Sequence, residues 1–205
     1  MKLTRISLIV TILASGNAFG AAGIFDSFLF TTTTVTAPLS YYDIGATTVN
    51  PDFQGSALGS FTAGSSTLFI GGQQKSYKNN GTDVTSHSIQ WRVWSGSPSG
   101  SFTTVAMPFQ LNLATPGDQQ WGGDTQGSNS DPIEVSSNIL SGLTNGNYTL
   151  EVFSRITTNG VNADATINNN NSGNNFQATF TVVPEPSAAL LGGLGALMLL
   201  RRRRN

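Results

Sequence analysis

Cysteine is absent from this chain, and histidine occurs once, at His87. The first absence removes disulfide staples and thiol chemistry, so a packed core must supply the stability. The second excludes a metal centre built from several histidines of this chain, and it leaves any Ser-His-Asp chemistry dependent on one imidazole. Charge is scarce too, at 10 % of residues, and six of the ten basic residues, Lys2, Arg5 and Arg201 to Arg204, sit at the two ends. Between Gly23 and Val183 four basic residues face ten acidic ones, a net charge of −6. Such a body lacks the clustered cations that a phosphate backbone requires, so no nucleic-acid partner is expected. Its acidity suits a soluble protein outside the cytoplasm.

What is there begins with the ends. Lys2 and Arg5 precede the apolar stretch Ile6 to Ala14, and Ala18, Gly20, Ala21 and Ala22 follow. This is the three-part layout of a secretory signal peptide, assigned here to residues 1–22, with export through the Sec machinery. Cleavage after Gly20 or after Ala22 fits the pattern. At the other end, Val183-Pro-Glu-Pro-Ser187 leads into an apolar run from Ala188 to Leu200 and then Arg201 to Arg204. A span needs about 20 apolar residues, whereas Ser187 to Leu200 gives roughly 14, or about 21 Å of helix. The segment is short for a permanent anchor. Pro186 suits the first helical position, Glu185 complements the helix dipole, and the arginines hold the end on the cytoplasmic side. Ala188, Gly192 and Ala196 line one face where a second membrane helix can approach closely.

Pro184, Glu185 and Pro186, the short hydrophobic helix and Arg201, Arg202, Arg203 and Arg204 together resemble the PEP-CTERM sorting signal of Gram-negative bacteria. The resemblance covers residues 184–205. It implies that an exosortase-type membrane enzyme reads and removes the tail, and that the protein reaches the cell surface or the exterior, in the neighbourhood of extracellular polysaccharide.

Between the ends, Gly, Thr, Ser and Asn abound and apolar residues alternate over short runs, the pattern of an all-β domain over residues 23–183. Ile89, Trp91 and Val93 alternate with Gln90, Arg92 and Trp94. Tyr148, Leu150 and Val152 alternate with Thr149, Glu151 and Phe153. Further strands are predicted over Ser27 to Val35, Ser66 to Ile70, Gln74 to Tyr77, Phe102 to Leu113 and Asn175 to Val183. Gly71-Gly72, Asn80-Gly81, Thr115-Pro116-Gly117 and Asn145-Gly146 read as turns, and Asn168 to Asn175 as a hairpin loop between the last two strands. Seven or so short strands predict a single antiparallel β-sandwich, flanked by the signal-peptide helix and the short C-terminal helix. Leu143, a turn, then Tyr148 opening an alternating strand resembles the tyrosine corner of immunoglobulin-like and fibronectin type III sandwiches, where the tyrosine hydroxyl bonds back to nearby backbone.

Catalytic equipment is sparse. Gly96-Ser-Pro-Ser-Gly100 has Pro98 where a nucleophile elbow needs serine, and His87 lies one residue before the strand Ser88 to Trp94, on its polar face or at its entry. No enzymatic activity and no obligatory cofactor are expected. Asp118, Asp124 and Asp131 lie in a Gly- and Ser-rich loop whose oxygen ligands suit Ca²⁺, though the spacing is not that of an EF-hand and a solvated acidic loop is the simpler reading. Trp94, on the polar side of its strand, and Trp121, inside a glycine-rich loop, are candidate stacking platforms for sugar rings, with Gln119 and Gln120 beside them. Plugging the ends of a sandwich is their alternative role. Trp91, on the opposite face from Trp94, belongs to the core. The expectation is an exported, non-enzymatic surface or matrix protein, with a carbohydrate-binding or adhesive module as the alternative.

Overall fold

Short alternating segments need two faces to bury, and the chain meets that need by packing two sheets. The computed structural model describes residues 21–34, 38–45, 50–123 and 134–185. The predicted signal-peptide helix and the C-terminal helix with its arginines lie outside the described residues, except for Ala21, Ala22, Pro184 and Glu185. Eleven strands are present among the described residues: β1 (Ala22–Thr32), β2 (Leu39–Asp43), β3 (Ala57–Thr62), β4 (Phe69–Lys78), β5 (Val84–Trp94), β6 (Thr103–Met107), β7 (Phe109–Asn112), β8 (Asp118–Gly122), β9 (Gly146–Thr158), β10 (Thr166–Asn169) and β11 (Phe176–Val183). One sheet runs β2-β1-β4-β8-β7, and the other β3-β11-β9-β5-β6 with β10 also on β9. The fold is therefore an all-β sandwich. It is antiparallel except at one edge, where β3 pairs β11 in parallel.

The alternation read from β5 and β9 sets the core. Val93 pairs with Leu150, Trp91 with Val152, Ile89 with Ser154 and His87 with Ile156, so all eight share the inner face of their sheet. Leu29 and Ile70 of the opposite sheet join the same apolar cluster. Burying apolar side chains at about 25 cal/mol per Å² is what such a chain has in place of disulfides.

Four local expectations are corrected. Gly71-Gly72 is not a turn, because β4 runs through both residues. They permit close approach instead: a Cβ at Gly71 would lie 2.3 Å from Phe30 Cζ, and one at Gly72 would lie 2.5 Å from the Phe28 carbonyl oxygen. The stretch Phe102 to Leu113 is not one strand. Pro108, which has no N–H to give a ladder, separates β6 in one sheet from β7 in the other. The Gly-flanked segment around Trp121 is the strand β8, paired with β4 on one side and β7 on the other. Finally, Asn168 to Asn175 is no hairpin loop. β10 pairs with residues 154–157 of β9 and β11 with residues 146–152, while β5 occupies the other side of β9. β10 and β11 thus follow one another along a single edge. The Asn-rich break between them folds into a 3-10 turn over Asn171–Gly173, with positive φ at Asn171, Ser172 and Asn175.

The tyrosine at the start of β9 behaves as its setting predicts. Its hydroxyl donates to the Thr144 carbonyl at 2.8 Å, four residues upstream.

Candidate functional site

Tail first, since the sequence speaks most clearly there. β11 ends at Val183, whose carbonyl accepts the Ala63 N–H at 2.9 Å, and Pro184 follows without a spacer. Pro184 and Glu185 are therefore joined directly to the sandwich. Pro186 and Arg201 to Arg204 lie outside the described residues, so no geometry joins the parts of the expected sorting signal.

The aromatic candidates separate. Trp121 is no exposed platform: it is 8 % exposed, and its ring stacks on His87 with centroids 4.8 Å apart. Gln119 and Gln120 are buried with it, held in a strand that has neighbours on both sides. These three residues leave the candidate sugar site, because each is buried, at 6 %, 5 % and 8 % exposed for Gln119, Gln120 and Trp121. Trp94 behaves differently. It alternates with the core-facing Val93, so it lies on the outer face of the β3-β11-β9-β5-β6 sheet, partly buried. The two tryptophans sit on different sheets and form no common surface.

Trp94 is held by a carboxylate that sequence reasoning did not single out. Its indole N–H donates to Glu151 Oε2 at 2.8 Å. Arg92 grips the same carboxylate with two bonds, Nε to Oε2 at 2.9 Å and Nη2 to Oε1 at 3.0 Å, and Asn175 donates to Oε1 as well. Such a fork-to-fork pair fixes geometry as well as charge. Glu151 is only 2 % exposed. Burial opposes its ionisation, but the hydrogen bonds from Arg92, Asn175 and Trp94 and the positive guanidinium outweigh that cost and hold its carboxyl below the ordinary value. The guanidinium also covers the Phe102 ring at 4.4 Å from the centroid. The alternation of β5 and β9 carried a signal for this network, since Arg92, Trp94 and Glu151 all fall on the polar side. Only the register, which places Arg92 opposite Glu151, brings them together.

Beside Trp94 an open cleft of about 510 Å³ runs across the outer face, with Thr149, Thr179, Thr181 and Asn147 along it and Ala57, Gly59 and Ser60 on the far side. Small hydroxyl and amide groups beside the Trp94 indole are suited to a neutral hydroxylated ligand. Thr181 Oγ1 donates to Asn147 Oδ1 at 2.9 Å, which orients that amide along the cleft. The chain matches no protein-family model and no curated protein.

His87 is not at a strand entry or on the polar face. It lies within β5, 2 % exposed, and points between the sheets. Gln74 donates its amide to the Ser88 carbonyl, which leaves Gln74 Oε1 to accept from His87 Nδ1–H at 3.0 Å. Nε2 then accepts from the Ser76 hydroxyl at 2.9 Å. Both ring nitrogens are thus occupied in the neutral imidazole, and burial pushes the pKa down to about 3. The imidazole is a polar rivet buried between the sheets.

Asp118 opens β8 opposite Tyr77 and is fixed in a ladder, not in a flexible loop. Asp124 and Asp131 lie outside the described residues. Among the described residues no group of three or more His, Asp or Glu converges on a metal position.

Proposed function

We propose that this chain is an exported, non-enzymatic surface or matrix protein: an immunoglobulin-like sandwich carried out by its N-terminal signal, held briefly by the short C-terminal helix, and freed by an exosortase-type enzyme into the neighbourhood of extracellular polysaccharide. The observation that carries this reading is the order Pro184-Glu185-Pro186, apolar run, Arg201 to Arg204, placed directly after the last strand of the domain. A helix of roughly 14 apolar residues is long enough to be caught by a membrane enzyme and short for lasting residence. The burial of His87, 2 % exposed, and of its partner Ser76, 0 % exposed, between the sheets supports the non-enzymatic part, since no substrate reaches the chain's single histidine there. Pulse-chase labelling with membrane fractionation in the native host tests the route. A membrane-bound precursor that chases into a smaller, membrane-free form is expected, and removal of residues 184–205 abolishes the membrane-bound stage. A full-length chain recovered in the cytosolic fraction contradicts it.

A second reading is favoured by the cleft beside Trp94, in which the protein grips a neutral polysaccharide by stacking a sugar ring on the indole. Glu151 is already neutralised by Arg92 and so adds no net charge there. Tryptophan emission titrated with the host's exopolysaccharide is expected to shift in the native protein and not in Trp94→Ala. An unchanged native spectrum with no retention of the polymer contradicts this second reading and leaves the first untouched.

A further inference from the structure

We propose that the end of the sandwich from which the tail leaves is a membrane-contacting surface, which rests on phospholipid headgroups while the C-terminal helix holds the chain; this rests on the export reading above. Strand register defines that end. Val183 of β11 lies beside Thr62 of β3, Val182 beside Gly146 of β9, Thr149 beside Trp94 of β5 and, in the other sheet, Thr32 of β1 beside Phe69 of β4. The sheets are tied together there, since Thr67 Oγ1 donates to the Thr33 carbonyl. Glu185 passes over the β3–β4 connection, where a Cβ at Gly64 would lie 3.8 Å from its Oε1.

Among the described residues this end is made by Thr33, Thr34 and residues 63–68, 95–102 and 135–145, and none of them is charged. Hydroxyls, amides and glycines take the place of charge. The opposite end differs: it carries Asp83 paired with Lys78, Asp118 beside Tyr77, and Asp164, whose carbonyl accepts from Thr158. Glu185 is the one described charge beside the neutral end, and it belongs to the tail.

Chain length brings the neutral end to the lipid. The steps from Val183 to Ser187 reach at most about 14 Å when fully extended, and a headgroup layer is about 5–8 Å deep. With Ser187 at the hydrocarbon boundary, β11 ends no more than about 9 Å above the headgroups, close to one Debye length at physiological ionic strength. A span of roughly 14 apolar residues also draws its flanks inward, because a segment too short for the hydrocarbon thins the bilayer or pulls on its flanking groups. At that range a body of net charge −6 is repelled by anionic lipid, and any charge pressed to the surface loses hydration. A charge-free end escapes both costs. Ser65, Ser97 and Ser99 are exposed on it, and their hydroxyls suit the phosphate and ester oxygens of lipid.

Because the chain has no cysteine, a single introduced one is the only labelling site. Full-length Ser65→Cys, Ser97→Cys and Ala165→Cys proteins, the last marking the opposite end, are labelled with a small fluorophore and synthesised into phosphatidylcholine vesicles that carry a headgroup-linked nitroxide quencher. Quenching at positions 65 and 97 is expected to exceed that at position 165 about threefold or more. Equal quenching at all three, in protein that floats with the vesicles, overturns this inference and leaves the membrane-held stage intact. Protein that does not float with them overturns that stage together with it. Charge separates contact from nearness. In vesicles containing anionic phosphatidylglycerol, Ser97→Glu with Ser99→Glu is expected to lower quenching at the Ser65→Cys label about twofold, whereas Ala165→Glu leaves it unchanged. A signal indifferent to the two added carboxylates shows that this end stands clear of the lipid and overturns the proposal.

Discussion

His87 on β5 and Ser76 on β4 meet across the gap between the two sheets, Nε2 to Oγ, at 2.9 Å. With Gln74 on the other ring nitrogen and Trp121 stacked on the ring face, this makes a polar layer inside an otherwise apolar core. Such a layer stabilises only while the imidazole is neutral.

The folded state keeps His87 neutral down to about pH 3, whereas the unfolded chain protonates it below 6.5. Between those values the unfolded state binds more protons, so this contribution to stability is fully present above pH 6.5 and is lost as pH falls through the window. At pH 5 the loss from this residue is about 2 kcal/mol. Urea unfolding at pH 7.5 and pH 5 measures it. The native protein is expected to lose about that much more than His87→Gln over the same interval, and equal losses would show that the imidazole titrates normally.

Glu151 makes a second, separable prediction. Removing its charge in Glu151→Gln leaves the Arg92 guanidinium without its paired carboxylate, at a cost of about 3 kcal/mol at pH 7. Because its folded-state carboxyl lies below the ordinary value, the contribution is present at neutral pH and fades as pH drops through that lowered value. The difference between native and variant unfolding free energies should therefore shrink in strong acid. A difference that stays constant with pH would assign the effect to packing instead.

Gly71 and Gly72 are expected to refuse a methyl group. At Gly71 the obstacle is chiefly the Phe30 ring and the Glu134 carbonyl, and at Gly72 the Phe28 carbonyl at 2.5 Å. Overpacking of this kind costs about 1–3 kcal/mol. Thermal melts of Gly71→Ala and Gly72→Ala, each several degrees below the native protein, are the expected outcome. Unchanged melting temperatures would restore the reading of this dipeptide as a permissive turn.

Loss of the Tyr148 hydroxyl in Tyr148→Phe removes its bond to the Thr144 carbonyl. The expected cost is about 1 kcal/mol, a fall of roughly 2–4 °C in melting temperature. A larger cost would mean that the hydroxyl organises more of the turn before β9 than this one bond.

These residues also mark what could be read in the sequence. Period-two alternation around Ile89 to Trp94 and Tyr148 to Phe153 was enough to give an all-β chain, the two central strands and the faces of Trp91 and Trp94, because that pattern is local. Trp121 and His87 were misplaced because their surroundings are supplied by strands distant in the chain. Nothing in Asp-Gln-Gln-Trp-Gly announces that β4 and β7 will flank it, and nothing beside His87 announces Gln74 and Ser76. Glycine had two meanings, turn at Gly81 with its φ of 80° and close packing at Gly71, and only the ring above Gly71 separates them. Pro108 was visible as a breaker, but a breaker does not say that the chain changes sheets. The cleft beside Trp94 depends on β3 joining β11 in parallel, a pairing without any short-range signal.

Intact mass spectrometry of the protein purified from its native host tests the central claim most directly, that this sandwich is exported and relieved of its sorting tail. The account predicts a single mature species that lacks Arg201 to Arg204 and the apolar run before them. A dominant species that still carries the Arg201 to Arg204 cluster and Asn205 would contradict it.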